Sequence, residues 1–315
     1  DPTVASSNKT PVFPSTTAAC VTTFFTGVAP QQHALVGWHT YMKELGEIVV
    51  PLRYATRYGY PILANPKDIF KTPSVFEKIK ARTFMIHPQE IANSPFNHAF
   101  RGRAKRIVYK TLAGLINQIS KTAKTSRRKF IYAYWPAFDA LSHIFGPESK
   151  QVHLHFRQLN EAIRLLIKKL AGTNTIVIIT ADHGQVTTPK SQMICLNRHP
   201  RLMETLALPI TGDARIAYCF VKASKKQQFE KYIKKKLRHA CTLMKSAELI
   251  RQGYFGLGRP SKKLEERIGD YALIMKENYI IKDFLLGEKE HFKIGNHGGT
   301  SSKEMEVPLI VIKTK

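Results

Sequence analysis

The sequence predicts an α/β fold: a mostly parallel central sheet flanked by helices, with a small α+β cap inserted late in the chain. Three observations carry that prediction. Residues 130–135 (FIYAYW) and 175–180 (TIVIIT) have the aromatic and β-branched content of buried strands. One long amphipathic stretch runs between them from Pro147 to about Gly172, and this strand, helix, strand order implies a right-handed βαβ unit. After Ile210 the pattern changes to short strands around a basic helix, until residues 307–312 (VPLIVI) read as a return to the sheet. At 315 residues the chain is long enough to bury a large core, as one large domain or as a main domain carrying a smaller one.

Taken in order, Pro14-Ser15-Thr16-Thr17 supplies helix-capping chemistry, residues 18–25 a helix body, and Gly27 its C-terminal stop. A turn-rich stretch follows to about Pro73. Residues 101–129 hold an apolar helical pattern (Val108, Leu112, Leu115, Ile116, Ile119) between basic clusters at 101–106 and 127–129. In the helix opened by Pro147, the residues Val152, Phe156, Leu159, Ile163, Leu166, Ile167 and Leu170 share one face. The run 175–180 is almost purely apolar, which predicts a strand buried on both faces of a parallel sheet. Residues 217–221 and 271–276 read as strands, and 225–239 as a basic amphipathic helix facing inward with Phe229, Ile233 and Leu237. The expected organisation is a core over residues 1–209, an inserted cap over 210–292, and a return to the core over 293–315.

Hydrophobic content of 43% fits a globular protein, and no apolar run approaches the roughly 18 residues of a membrane span. The pattern of a signal peptide is absent from the opening residues. Cys20, Cys195, Cys219 and Cys241 are scattered without CxxC pairing, which argues against a zinc ribbon or a dense disulfide framework and for free thiols. Net charge is +26, from 49 Lys and Arg against 23 Asp and Glu. Such a field attracts phosphate esters, nucleic acid or anionic lipid, and it sets encounter but not chemistry. Compartment and oligomeric state stay open.

Residue types that bind metal occur in three distant places, each just past a predicted strand: Asp139 with His143, the pair Asp182-His183, and His297. In an α/β fold the carboxyl ends of the strands meet at one edge, so such residues converge there. Asp139 and His143, four apart in a helical turn, can face one ion. Asp182-His183-Gly184 ends a strand too apolar for its polar tail to serve packing alone. His297 lies in Gly295-Asn296-His297-Gly298-Gly299, whose glycines let the backbone approach a bound group. Thr17, at a helix N-terminus where backbone N–H groups and the dipole favour a phosphoryl oxygen, is the candidate nucleophile. His153 and His155 face different sides of their helix and are set outside the site, and His33 is expected to brace its loop.

Four blocks of sequence, in order from residue 13 to 299, resemble the type I phosphodiesterase/nucleotide pyrophosphatase family of the alkaline phosphatase superfamily. They are Phe13-Pro14-Ser15-Thr16-Thr17 running to Thr26-Gly27, Pro30 and His33; Asp139 and His143 followed by Gly146-Pro147; Ala181-Asp182-His183-Gly184; and Asn296-His297-Gly298-Gly299. The resemblance implies an alkaline-phosphatase-like α/β/α sandwich and a metal-dependent hydrolase of phosphate esters, with a small phosphate-ester or nucleotide-like substrate. It places Thr17, three residues after Pro14 and ten before Gly27, as the nucleophile of an in-line displacement at phosphorus, with Thr16 as the fallback. It also implies two zinc-like divalent ions, with Mn2+ and Mg2+ as alternatives, about 4 Å apart. One would be held by Asp139, His143 and His297, the other by Asp182, His183, Thr17 and an Asp from the first strand.

That last Asp has no counterpart in this sequence: Asp1 stands only 16 residues before Thr17, too few for the family spacing. The expectation is a protein that starts earlier, with its first strand missing here. A second departure is Trp38, which stands where animal nucleotide pyrophosphatases carry a phosphoryl-binding Asn; an indole has one N–H donor and no acceptor. The sulfatase branch is disfavoured because Cys20 is followed by Val21-Thr22-Thr23-Phe24 and not by its signature. Two rival readings are a phosphomonoesterase or phosphomutase on the same scaffold, and a non-catalytic, basic nucleic-acid or membrane-surface binder on a decayed fold.

Overall fold

The computed structural model describes residues 3–125 and 127–314; Asp1 lies outside them. Strand β1 (Thr3–Lys9) opens the chain, a segment too polar and too evenly exposed to be read as a strand from sequence. It leads into helix α1 (Thr17–Thr26), which stops as predicted, with Gly27 in the left-handed region at φ 70°. The expected hydroxyl cap is not made, since Thr16 occupies the cap position without a side-chain bond to the helix.

Next come β2 (Arg82–Pro88), β3 (Lys105–Tyr109), helix α2 (Leu112–Ala123) and β4 (Lys129–Ala133). The three strands form a parallel sheet in the order β3-β2-β4. The helical pattern expected across 101–129 is therefore split. Val108 lies on β3, and the helix starts only after Thr111, whose hydroxyl accepts the Gly114 N–H. Helices α3 (Ala137–Phe145) and α4 (Lys150–Lys169) follow, then β5 (Ile176–Thr180) and the short β6 (Val186–Thr187).

The expectation of a doubly buried β5 fails. Ile176 and Ile178 are each 63% exposed, and only the alternate face is covered, where Val177 meets Ile116 of α2 and Leu166 and Leu170. Among the described residues β4 and β5 also lie in separate sheets, so the predicted βαβ pairing is not made. Phe156, predicted on the buried face of α4, is 58% exposed.

Strands β7 (Thr211–Asp213) and β8 (Ile216–Cys219), helix α5 (Lys226–Tyr232), and strands β9 (Cys241–Lys245) and β10 (Tyr271–Met275) build a four-stranded antiparallel sheet in the order β7-β8-β10-β9. Its strands alternate faces at period two. Ala217, Cys219, Leu273 and Met275 pack against Phe229, Ile233 and Leu237, the three residues predicted to face inward. Ile216, Tyr218, Ala272 and Ile274 pack against Phe13, Ala34 and Val36 of the opposite side, which ties this sheet to the loop leading into α1. The short β11 (Gly295–Asn296) pairs with β6, and β12 (Val307–Lys313) runs antiparallel between β1 and β5.

An aromatic core seats α1. The Phe25 ring lies 5.8 Å from Phe76, 6.0 Å from Phe96 and 5.1 Å from Tyr132, whose strand belongs to the parallel sheet. Phe70 and Phe100 complete it. All four cysteines are free and buried. No helix among the described residues is long and apolar enough to cross a membrane.

Candidate active site

Each candidate residue is presented by the end of an element. Thr17 is the first residue of α1; Asp139 and His143 lie on α3; Asp182 and His183 follow β5; His297 follows β11. The fold brings all six together. Thr17 Oγ1 is 3.1 Å from His183 Nε2, and His183 Nε2 is 3.6 Å from Asp182 Oδ2. Asp139 reaches His143 Nε2 at 3.5 Å through one carboxylate oxygen and His297 Nε2 at 4.0 Å through the other. The His183 and His297 rings stack at 3.7 Å.

The three imidazoles share one arrangement. A carbonyl can only accept, so His143 Nδ1–H donates to Gly295 O at 2.7 Å, His183 Nδ1–H to Gly184 O at 2.9 Å, and His297 Nδ1–H to Ser15 O at 3.1 Å. These bonds fix the tautomer and leave three Nε2 lone pairs turned toward the carboxylates, the orientation that metal-binding histidines take. The donor set fits a divalent ion. Asp139, His183 and His297 place ligand atoms all within 4.8 Å of one another, a grouping that cuts across the two sets expected from sequence.

Electrostatics sort the histidines. Burial and the neighbouring His183 and His143 push His297 well below the usual histidine value. Burial also lowers His143, against the pull of Asp139. For His183 burial acts downward, yet the carboxylates of Asp182, Asp139 and Asp213 and the bond to the Gly184 carbonyl together outweigh it, and the net shift is upward. The shifts at His297 and His143 favour the neutral ring that a cation needs, whereas the shift at His183 favours a proton with which a cation would compete.

Several residues of the site were not read from sequence. Gln185 donates to an Asp139 carboxylate oxygen through its side-chain amide. Asp213, at the end of β7, accepts the Trp38 backbone N–H at 3.0 Å, and burial pushes its carboxyl up to about 7. The available signal was an acid placed between Ile210 and Ile216 in a segment otherwise suited to a strand. Trp38 itself lies beneath the Arg53 guanidinium, 5.5 Å from the ring centroid. His33 and His155 stand outside the cluster: His33 accepts the Leu35 N–H on Nδ1 and bonds Thr23 Oγ1 through Nε2, and His155 accepts the Trp135 indole N–H.

Residues 3–300 match the family profile described as type I phosphodiesterase / nucleotide pyrophosphatase. The chain belongs to that family. Its chemistry is the hydrolysis of phosphoric esters, and this family member is an enzyme of that class. The solved structures similar to it include murine ectonucleotide pyrophosphatase/phosphodiesterase 5, at 15% identity and a TM-score of 0.72, covering 98% of this chain and 79% of that one. An inactive variant of the same murine protein was solved in complex with AMP, at 16% identity and TM-score 0.73, with the same coverage. Phosphonoacetate hydrolase from Sinorhizobium meliloti, solved with phosphonoformate, matches at 17% identity and TM-score 0.68, over 98% of this chain and 81% of that one. These likenesses establish the alkaline-phosphatase-like α/β fold. No curated protein matches the chain by sequence.

Proposed function

We propose that this family member is a phosphodiesterase or nucleotide pyrophosphatase with Thr17 as nucleophile and two divalent, zinc-like ions. Asp139, His143 and His297 would hold one ion, and Asp182, His183 and Thr17 the other. The single observation that supports this reading is the set of three histidines locked at Nδ1 with Nε2 turned to Asp139, Asp182 and Thr17. When bound, the ions supply Lewis-acid polarisation of the phosphoryl group and acidify the nucleophile.

The chain's own contribution begins at α1. Its first N–H groups lack intrahelical partners, as at any helix start, and would serve as donors to a phosphoryl oxygen bound beside Thr17 Oγ1. With Trp38 in place of an amide, these N–H groups carry that contact. Thr17 Oγ1 attacks phosphorus in line with the leaving oxygen, which departs as the alcohol or phosphate. The resulting phosphothreonine or nucleotidyl-threonine ester is then cleaved by water. The AMP bound to the murine neighbour's inactive variant supports a nucleotide-like substrate. Residues 210–292 are proposed as a cap inserted into the catalytic core.

Thr17→Ala should abolish turnover of a p-nitrophenyl phosphodiester, measured on folded protein supplied with Zn2+ or Mn2+. Undiminished hydrolysis by that variant removes Thr17 from the mechanism. Rates on a diester and a monoester, compared as kcat/KM, separate a phosphodiesterase from a phosphomonoesterase.

A further inference from the structure

Glu304 is fully buried, and its carboxylate collects more donors than any ordinary helix cap needs. Oε1 accepts the Gly299 N–H at 2.8 Å and Arg215 Nε at 3.1 Å. Oε2 accepts Arg215 Nη2 at 2.8 Å and the Ser301 hydroxyl at 2.5 Å. The residue sits in the turn Ser302–Met305 with Ser301 as its cap, so a capping box is the simplest explanation of its position. That box is made, through the Ser301 hydroxyl at 2.5 Å and its N–H at 3.4 Å, but it leaves three contacts unexplained: the Gly299 N–H and the two charge-assisted bonds from Arg215.

These contacts lead into three of the four segments that carry the candidate chemistry, those of Thr17, His183 and His297. Gly299 O accepts the Ser15 hydroxyl at 2.9 Å, and Ser15 O holds the Nδ1–H of His297. Ser15 is two residues before Thr17. The backbone carbonyl of Glu304 accepts the Gly184 N–H at 3.0 Å, and Gly184 O in turn holds the Nδ1–H of His183. Close approach is built in: a Cβ on Gly184 would lie 2.0 Å from Lys303 O, and one on Gly299 2.9 Å from Glu304 Oε2. Arg215, 1% exposed, is fixed from behind by the carbonyl of Tyr279 at 2.7 Å.

A buried ion pair is weak evidence for stability, because desolvation offsets most of its attraction and an apolar pair of similar volume is often as stable. What an apolar pair cannot copy is direction. Resting on the metal-centre reading above, the structure assigns Glu304 and Arg215 as positioning residues that set metal affinity by holding the backbone carbonyls that orient His183 and His297. Neither touches substrate or metal. Carbonyls bonded directly to a ligand typically contribute 10- to 100-fold to metal binding; Glu304 and Arg215 act behind the Ser15 and Gly184 carbonyls, so the low end of that range is expected.

The test is calorimetric titration of metal-stripped protein with Zn2+, alongside a urea midpoint for each variant. Glu304→Gln, and the double variant Glu304→Leu with Arg215→Met, should each bind Zn2+ about 10-fold more weakly. The double variant should keep close to the wild-type midpoint. A merely structural brace would lower the midpoint and leave the affinity of the folded protein unchanged, and that result overturns the assignment. If both variants fail to fold, Arg215→Lys, which keeps the charge and loses the planar fork, decides in the same titration: wild-type affinity overturns the proposal, weakened binding upholds it. Wild-type protein that binds no Zn2+ overturns the metal-centre reading and the proposal together, whereas variants that match a binding wild type overturn the proposal alone.

Discussion

At the scale of single residues, histidine environment divides the molecule into functional and structural groups. His143, His183 and His297 spend Nδ1 on backbone carbonyls and keep Nε2 for the centre of the cluster. His33 and His87 are buried away from the cluster, at 7% and 2% exposure, and burial lowers them to about 3 and about 4. A base with a folded pKa below its unfolded value of about 6.5 is held neutral by folding, so its contribution is complete above that unfolded value. As pH falls from about 6.5 toward 3 to 4 the unfolded chain takes up the proton first, and each histidine costs about 1.4 kcal/mol of stability per pH unit. Urea midpoints measured between pH 7 and pH 5 should therefore fall, and fall less steeply in His33→Gln. Equal slopes for the two proteins would show that His33 is not held neutral.

At the scale of elements, α1 joins chemistry to core. Its first residue is Thr17, its last turn carries Phe25, and the Phe25 ring lies against Phe76, Phe96 and Tyr132. Deleting that ring leaves a cavity in a close-packed aromatic cluster. Phe25→Ala should lower stability by about 3 to 5 kcal/mol, read from the urea midpoint. Turnover in the surviving folded fraction should also fall, because the helix that aims Thr17 loses its seat. The hydroxyls before α1 follow the same logic. Ser15, Thr16 and Thr17 looked like capping residues, yet Ser15 donates across the molecule to Gly299 and Thr17 faces His183.

At the scale of the whole molecule, a net charge of +26 should steer anionic substrates. Between about 0.02 and 0.2 M salt, kcat/KM for a phosphodiester should drop several-fold while kcat changes little, since screening acts on encounter; a kcat/KM indifferent to salt would remove charge from the account. Much of the molecule was legible before folding: the α1 helix with its Gly27 stop, the inward face Phe229, Ile233 and Leu237, and the residue types at three strand ends are local patterns, set by periodicity and cap chemistry along the chain. Less legible were β1, whose seven residues are mostly polar and all exposed, and β2, the centre of the parallel sheet, whose RTFMIHP lacks alternation. The apolar run of β5 misled, because apolar content reports what a strand contains and not what covers it. By itself the sequence determined which residue types stand at the site, since motif and spacing are properties of a single segment. Tertiary structure alone decided that Asp139, His183 and His297 bring ligand atoms within 4.8 Å of one another, that Gln185 and Asp213 border them, and that Arg215 meets Glu304. Each of those pairings joins positions far apart in the chain, and no local pattern can encode a distance that only the packed fold creates.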